Sequence, residues 1–320
     1  MRHGHEAGGI LAALSSAVFL GLSPVFGKLA INAGFSSLAV AAIRTVFAAF
    51  LVLLIVTIFF RRYLYIFPVG LAGCVLAGVI NGTGSIFYYM ALARLSASLG
   101  QILYSLYPFF VAIWLLFDQW RFTRLTLFRL ALATVAVLFL TYWPVHRVDP
   151  IGVLLMLGGS ALYALHLPIN QRVLYDVPAP TVTLYTLFAM SAVVVPAFLL
   201  FDRKVPSVSL DWAPLFWLGV MTSLSRLALF LGIKRIGGMQ TALLGLAELL
   251  ITIVFSRLWL HDNLLWTQWL GAGILCASLL LVGFEKPNPA HRTTRTGWFS
   301  WIRPPDLPEM HREIPWGPHE

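Results

Sequence analysis

Four ionisable side chains, Arg44, Arg226, Glu248 and Arg257, stand inside stretches of sequence made otherwise of apolar residues. A charged group at the depth of a hydrocarbon layer costs about 2.5–3.5 kcal/mol on insertion scales, so each is a functional candidate by position alone. Glu248 lies roughly ten residues from either end of its apolar stretch, too deep for its side chain to reach water. Such a carboxyl pairs with an arginine or takes up a proton, because a poorly hydrated site disfavours the charged form. Two roles follow: coupling proton or cationic-substrate binding to a conformational switch, or an ion pair with Arg226 or Arg44 that only holds helices together. Arg226 follows Ser223 and Ser225, about two turns before Lys234. There it suits a substrate carboxylate or a pairing with Glu248. Arg44, about a turn and a half from its segment's end, is placed to close a gate, to touch substrate or to extend to water. Arg257 and Arg129 lie near segment ends and are expected to extend outward.

Neutral polar residues form three stripes. Asn81, Ser85 and Tyr88 fall at i, i+4 and i+7, one helical face. Gln101, Tyr104 and Ser105 share another face, with Tyr107 a turn beyond Tyr104. Tyr163, His166 and Asn170, spaced by three and then four, make the third. Together the stripes predict a cavity of aromatic and neutral polar groups, suited to amino-acid-like or amphiphilic solutes. Taken singly, each is equally explained by hydrogen bonding between helices. His166 has no ligand-spaced neighbour, so no metal or cofactor is expected, and no Gly-x4-Gly-Lys-Ser/Thr loop is present to drive an ATP-fuelled pump.

The elements holding these groups are membrane helices. Of 320 residues, 59% are hydrophobic and 11% charged, with mean hydropathy +0.83, against about 25% charged in soluble domains. Ten segments are long and apolar enough to span a bilayer: about 8–31, 37–60, 66–92, 97–117, 124–143, 151–172, 181–201, 212–233, 239–260 and 264–284. The boundary between the third and fourth is the weakest, since 91–99 is barely polar. With the N-terminus inside, Lys and Arg number 13 on the cytoplasmic side against 5 outside, or 8 against 5 without the tail. This predicts both termini in the cytoplasm, across a plasma (inner) membrane. The net charge of +9 is dispersed rather than gathered in a stripe, which points to the anionic leaflet and excludes nucleic acid as a partner. Cys74 and Cys276 both sit in apolar runs and offer no disulfide framework. Beyond Phe284 the chain turns proline-rich, from Pro287 to Pro318, and 286–320 reads as a cytoplasmic tail. Its Trp298, Phe299, Trp301 and Ile302 beside Arg295 and Arg303 suit a membrane interface or a disordered segment.

The chain also repeats itself. Ser16, Ala17, Phe19, Pro24 and Lys28 recur at an offset of 144 as Ser160, Ala161, Tyr163, Pro168 and Arg172. Further on the offset is 141: Arg94 matches Arg235, Leu103 matches Leu244, Thr126 matches Thr267 and Ala131 matches Ala272. Two halves, 1–148 and 149–285, then hold five spans each. An odd number makes the second enter the bilayer from the opposite side, as two inverted five-helix repeats around a midplane path. Gly78, Gly82 and Gly84, with Gly232, Gly237, Gly238 and Gly245, supply either hinges or close packing, and Pro24, Pro108 and Pro168 can bend their helices.

This order of features resembles the drug/metabolite transporter superfamily, in its EamA-type ten-span branch, over residues 8–285. The resemblance rests on the two halves and on Ala41-Ala42-Ile43-Arg44, Tyr88 through Ala97, Leu106-Tyr107-Pro108-Phe109-Phe110 and Leu246-Ala247-Glu248-Leu249-Leu250. Departures accompany it. Trp120-Arg121 and His261-Asp262 stand where small-residue-plus-Glu pairs usually close the fourth and ninth spans, and Leu249 stands where Pro usually follows Glu248. The resemblance implies secondary transport, frequently export, of small organic solutes such as amino acids, metabolites or amphiphilic drugs. On the residues alone, a channel or structural membrane protein and an integral-membrane enzyme remain alternatives, although the acids are too scattered for the latter.

Overall fold

Inside lipid a backbone must satisfy its own N–H and C=O groups, and runs rich in Leu, Ala, Val and Phe do so as helices. The computed structural model describes residues 2–116, 128, 131–132, 135–136, 139, 148–202, 210–236, 241, 244–245 and 247–281. Its helices are α1 (Arg2–Asn32), α2 (Ser37–Phe59), α3 (Pro68–Arg94), α4 (Ala97–Tyr104), α5 (Tyr107–Leu116), α6 (Pro150–Asp176), α7 (Ala179–Phe201), α8 (Ala213–Ile236), α9 (Ala247–Trp259) and α10 (Trp266–Leu280). Six stretches are long and apolar enough to cross a membrane: Gly8–Asn32 within α1, and the whole of α2, α3, α6, α7 and α8. Most of the expected fifth span (124–143) and of the start of the ninth, with Arg129 and the tail 286–320, lies outside the described residues.

Local chemistry sets the ends. Ser36 accepts the N–H of Ala39 at 3.1 Å and Ser96 that of Leu99 at 3.3 Å, capping α2 and α4. The Ser96 cap separates the third and fourth spans where hydropathy alone barely does. Pro68 and Pro150 open α3 and α6, where a missing N–H costs nothing. Gly34, at φ +104°, turns the chain out of α1 in a conformation a side chain would resist. Arg94 and Asp149 form an exposed ion pair at 2.9 Å, and the guanidinium holds the Asp149 carboxyl below its usual range. The contact is therefore present above the ordinary aspartate pKa and lost only in acid, and its exposure makes its contribution small. Ser36→Ala is expected to cost about 1 kcal/mol by removing the α2 cap, read as a modest fall in thermal midpoint of the purified protein.

The fourth span departs from the expected single helix over 97–117. It breaks into α4 and α5 at Ser105–Leu106. Pro108 has no N–H to give the carbonyl of Tyr104 four residues back, and that carbonyl is taken instead by the hydroxyl of Ser160 on α6, at 2.8 Å. A second break precedes α9. Gly245 sits in a turn and its carbonyl accepts the N–H of Glu248 at 2.9 Å, although no proline follows Glu248.

The helices pack α1 on α8 and α9, α2 on α7 and α8, α3 on α6 and α7, and α4 on α6 and α9. Leu184, Leu187 and Met190 of α7 interlock with Ala48, Ala49, Val52 and Val56 of α2. The outer surface is apolar, with Phe50, Ile58, Val69, Leu154, Leu200 and Phe216 exposed, while Arg44, Asn81, Gln101, His166, Asn170 and Glu248 are buried. That is the reverse of a soluble protein and the pattern a lipid solvent selects.

Glycines bring these helices together. A Cβ at Gly84 would meet the side chain of Leu162 at 3.1 Å and the carbonyl of Gly159 at 3.3 Å, and one at Gly159 would meet the carbonyl of Gly84 at 3.1 Å. Here small residues serve close approach of α3 and α6.

Candidate functional site

The buried polar groups converge on one cavity at the middle of the bundle. Asn81 is the central residue of α3 and Tyr163 that of α6, and both line it, with Leu20 and Ser23 of α1, Arg44 of α2 and Thr222, Ser225 and Arg226 of α8. Equal helix length on either side places the cavity at mid-depth of a spanning bundle. Its volume is about 50 Å³, room for one or two waters at about 30 Å³ each.

Two arginines dominate it, 7% and 6% exposed. Arg44 donates from Nη2 to Ser85 Oγ at 2.6 Å and from Nη1 to Thr222 Oγ1 at 3.2 Å, joining α2, α3 and α8. It does not extend to water, as its place near the end of its segment allowed; its guanidinium lies 4.7 Å from the centre of the Tyr89 ring. Arg226 meets the Asn81 amide, which with its oxygen turned toward the guanidinium accepts from Nη1 and Nη2 at 3.1 Å each, and His166, whose Nε2 faces Nη1 at 3.3 Å. The His166 Nδ1 is directed at the carbonyl of Tyr163. Nδ1 therefore carries the proton and Nε2 accepts, so the imidazole is neutral.

Glu248, 4% exposed, stands in the first turn of α9, the positive end of that half-helix's dipole. Its Oε1 accepts from Gln101 Nε2 at 2.7 Å. The expected alternative of an ion pair with Arg226 or Arg44 does not form, since neither guanidinium lies within 4.0 Å of the carboxylate. Each arginine instead reaches neutral partners, Arg44 on α3 and α8 and Arg226 on α3 and α6. Between the charges stand tyrosine rings in edge and tilted contact: Tyr88 with Tyr104 at 4.9 Å and Tyr104 with Tyr163 at 5.2 Å.

Of the side chains singled out from the sequence, Glu248, Arg226, Arg44, Asn81, Ser85, Tyr88, Tyr104 and Tyr163 all line the cavity. Tyr107 packs behind Tyr163, ring centres 5.1 Å apart, and His166 stands behind Arg226 and Tyr163 rather than on the cavity wall. Asn170 is not brought to it: its amide donates to the carbonyl of His166 and accepts from Thr186, a bond between α6 and α7. Thr222, Ser225 and Tyr89 line the cavity although sequence reasoning gave them no role there, and Gln101, a member of the second stripe, holds the carboxylate. The repeat carried a signal for one of them, because Thr222 stands 141 residues after Asn81. Arg257 is exposed, as its place near a segment end requires.

Among the described residues no three His, Cys, Asp or Glu side chains gather to hold a metal. The sequence model described as the EamA-like transporter family matches residues 7–142 and again 150–284. No curated protein matches the chain. One solved crystal structure, titled only as that of a protein, superposes with a TM-score of 0.63 at 14% identity, over 87% of this chain and 97% of the other; at that identity the likeness is one of fold.

Proposed function

Because this chain belongs to the EamA-like transporter family, a family of transporters and not of enzymes, we propose that it exports a small organic solute through the central cavity by alternating access. The cavity carries the proposal: charged and aromatic groups gathered at mid-depth around a space of about 50 Å³, too small for an organic molecule until helices move.

The path lies between two inverted halves. Exchanging α1 with α6, α2 with α7, α3 with α8 and α4 with α9 maps the packed pairs onto one another: α1·α8 onto α6·α3, α3·α7 onto α8·α2, and α1·α9 onto α6·α4. Opposite directions are supported at the cavity itself. Asn81 meets Arg226, while Ser85, four residues on, is joined through Arg44 to Thr222, four residues back. The two interrupted spans support the same reading, since broken helices place backbone and side chains at a midplane site. With both termini cytoplasmic, the close of α3 near Leu92 and Leu95, whose carbonyls Lys28 holds at 2.8 Å, faces outward. Glu248 couples the cycle to protons.

The test is counterflow in proteoliposomes containing the purified protein, run against amino acids, organic acids, nucleosides and cationic dyes with and without a pH gradient. Saturable exchange of at least one solute is expected. Conductance without saturation, or no exchange at all, overturns the proposal.

A further inference from the structure

We propose that the cavity is built for the carboxylate of an organic monoanion, seated between Arg44 and Arg226; this rests on the reading of the cavity as the transport path. Both guanidiniums are more than nine-tenths buried, and among the described residues neither Nε has a hydrogen-bond partner. Their other partners, Ser85 and Thr222 for Arg44, Asn81 and His166 for Arg226, are all neutral. A buried guanidinium left without a counter-charge is costly, and its fork of donors matches a planar carboxylate better than any other common group. The two forks also face one space. Asn81 and Ser85 are one turn apart on α3, as are Thr222 and Arg226 on α8, so the arginines occupy adjacent levels about 5.4 Å apart.

Charge balance selects the ligand. Two arginines and Glu248 line the cavity, His166 behind them is neutral, and Lys28 and Asp262 do not line it. With Glu248 ionised the site carries one net positive charge. A monocarboxylate cancels it, a zwitterion leaves it, a cation adds to it, and a phosphate dianion matches only once Glu248 takes a proton. Tyr88, Tyr104 and Tyr163 offer ring surface to the apolar body of the solute.

The test uses the full chain, purified and reconstituted, with a panel on related skeletons: butyrate, benzoate and hydrocinnamate as monoanions, phenylalanine as zwitterion, phenethylamine as cation and phenyl phosphate as dianion. Binding is read as ligand-induced thermal stabilisation in detergent, transport as counterflow. At least one monoanion is expected to bind and exchange, with affinity at least tenfold above phenylalanine and phenethylamine. Arg226→Gln is expected to weaken that monoanion tenfold or more, and Arg226→Lys to restore part of the loss, both variants staying monodisperse. Preference for the zwitterion, the cation or the dianion, or undiminished monoanion affinity in a folded Arg226→Gln, overturns the proposal while leaving transport standing. Monoanion binding without exchange keeps the carboxylate site and overturns the transport reading. Failure of every probe to bind or exchange overturns both.

Discussion

Glu248→Gln is expected to keep solute exchange across a vesicle membrane and to lose accumulation driven by a pH gradient, a fall of at least tenfold in the gradient-driven rate. Glutamine has the shape and hydrogen-bonding capacity of a protonated glutamate but cannot release a proton. Among the described residues Glu248 has one side-chain hydrogen bond, from Gln101 on α4, and no ion pair. Arg226 on α8 and the ring hydroxyls of Tyr88, Tyr104 and Tyr163 share the same cavity. A carboxyl held this way gains or loses its proton as charge enters or leaves beside it, which is how substrate and proton become linked. The measurement is paired: counterflow at equal pH on both sides, then accumulation with the interior acidified or made alkaline. A variant that folds, exchanges and still responds to the gradient as the native protein does removes Glu248 from coupling. Native exchange with no gradient response in either protein leaves a facilitator.

The second large effect is on assembly. Gly78→Val is expected to destabilise the bundle by about 3 kcal/mol or more, the upper end for overpacking, and to lower the thermal midpoint by roughly 10 °C or prevent purification of a monodisperse protein. A Cβ at Gly78 would fall 2.4 Å from the Cβ of Ala189 and 2.7 Å from the carbonyl oxygen of Thr186. The second contact is with backbone on α7, so no side-chain rotation relieves it and the helices must part. Gly273→Ala on α10 is the matched comparison. Among the described residues nothing lies within 4 Å of its added Cβ, and alanine in a helix interior gains about 0.5–1 kcal/mol over glycine. Size-exclusion thermal unfolding of both variants checks the contrast. A Gly78→Val protein as stable as Gly273→Ala would show that α3 and α7 are not packed as described.

Much of the site was legible before any fold was known, and for one reason. In a chain whose solvent is hydrocarbon, each ionisable or strongly polar residue inside a span needs a protected place, so residue type and depth nearly suffice to name Arg44, Arg226 and Glu248. Helical spacing added Asn81, Ser85 and Tyr88. Asn170 shows where that logic ends. Its spacing from Tyr163 and His166 is as regular as any, yet it turns to Thr186 on α7, because a stripe wide enough to touch two neighbours does not say which one borders the cavity.

Sequence by itself determined the membrane class and the position of the long apolar helices α1, α2, α3, α6, α7 and α8, since these depend on transfer free energy and period, which are properties of one segment at a time. Tertiary structure alone decided who partners whom. Glu248 went to Gln101 rather than to an arginine, Arg44 turned inward to Ser85 and Thr222 rather than outward to water, and the fourth span broke because Pro108 left a carbonyl that Ser160 on another helix could take. Each choice depends on which polar atoms come within about 3 Å of one another, and that is set by how the helices pack across the bundle, which no single segment encodes.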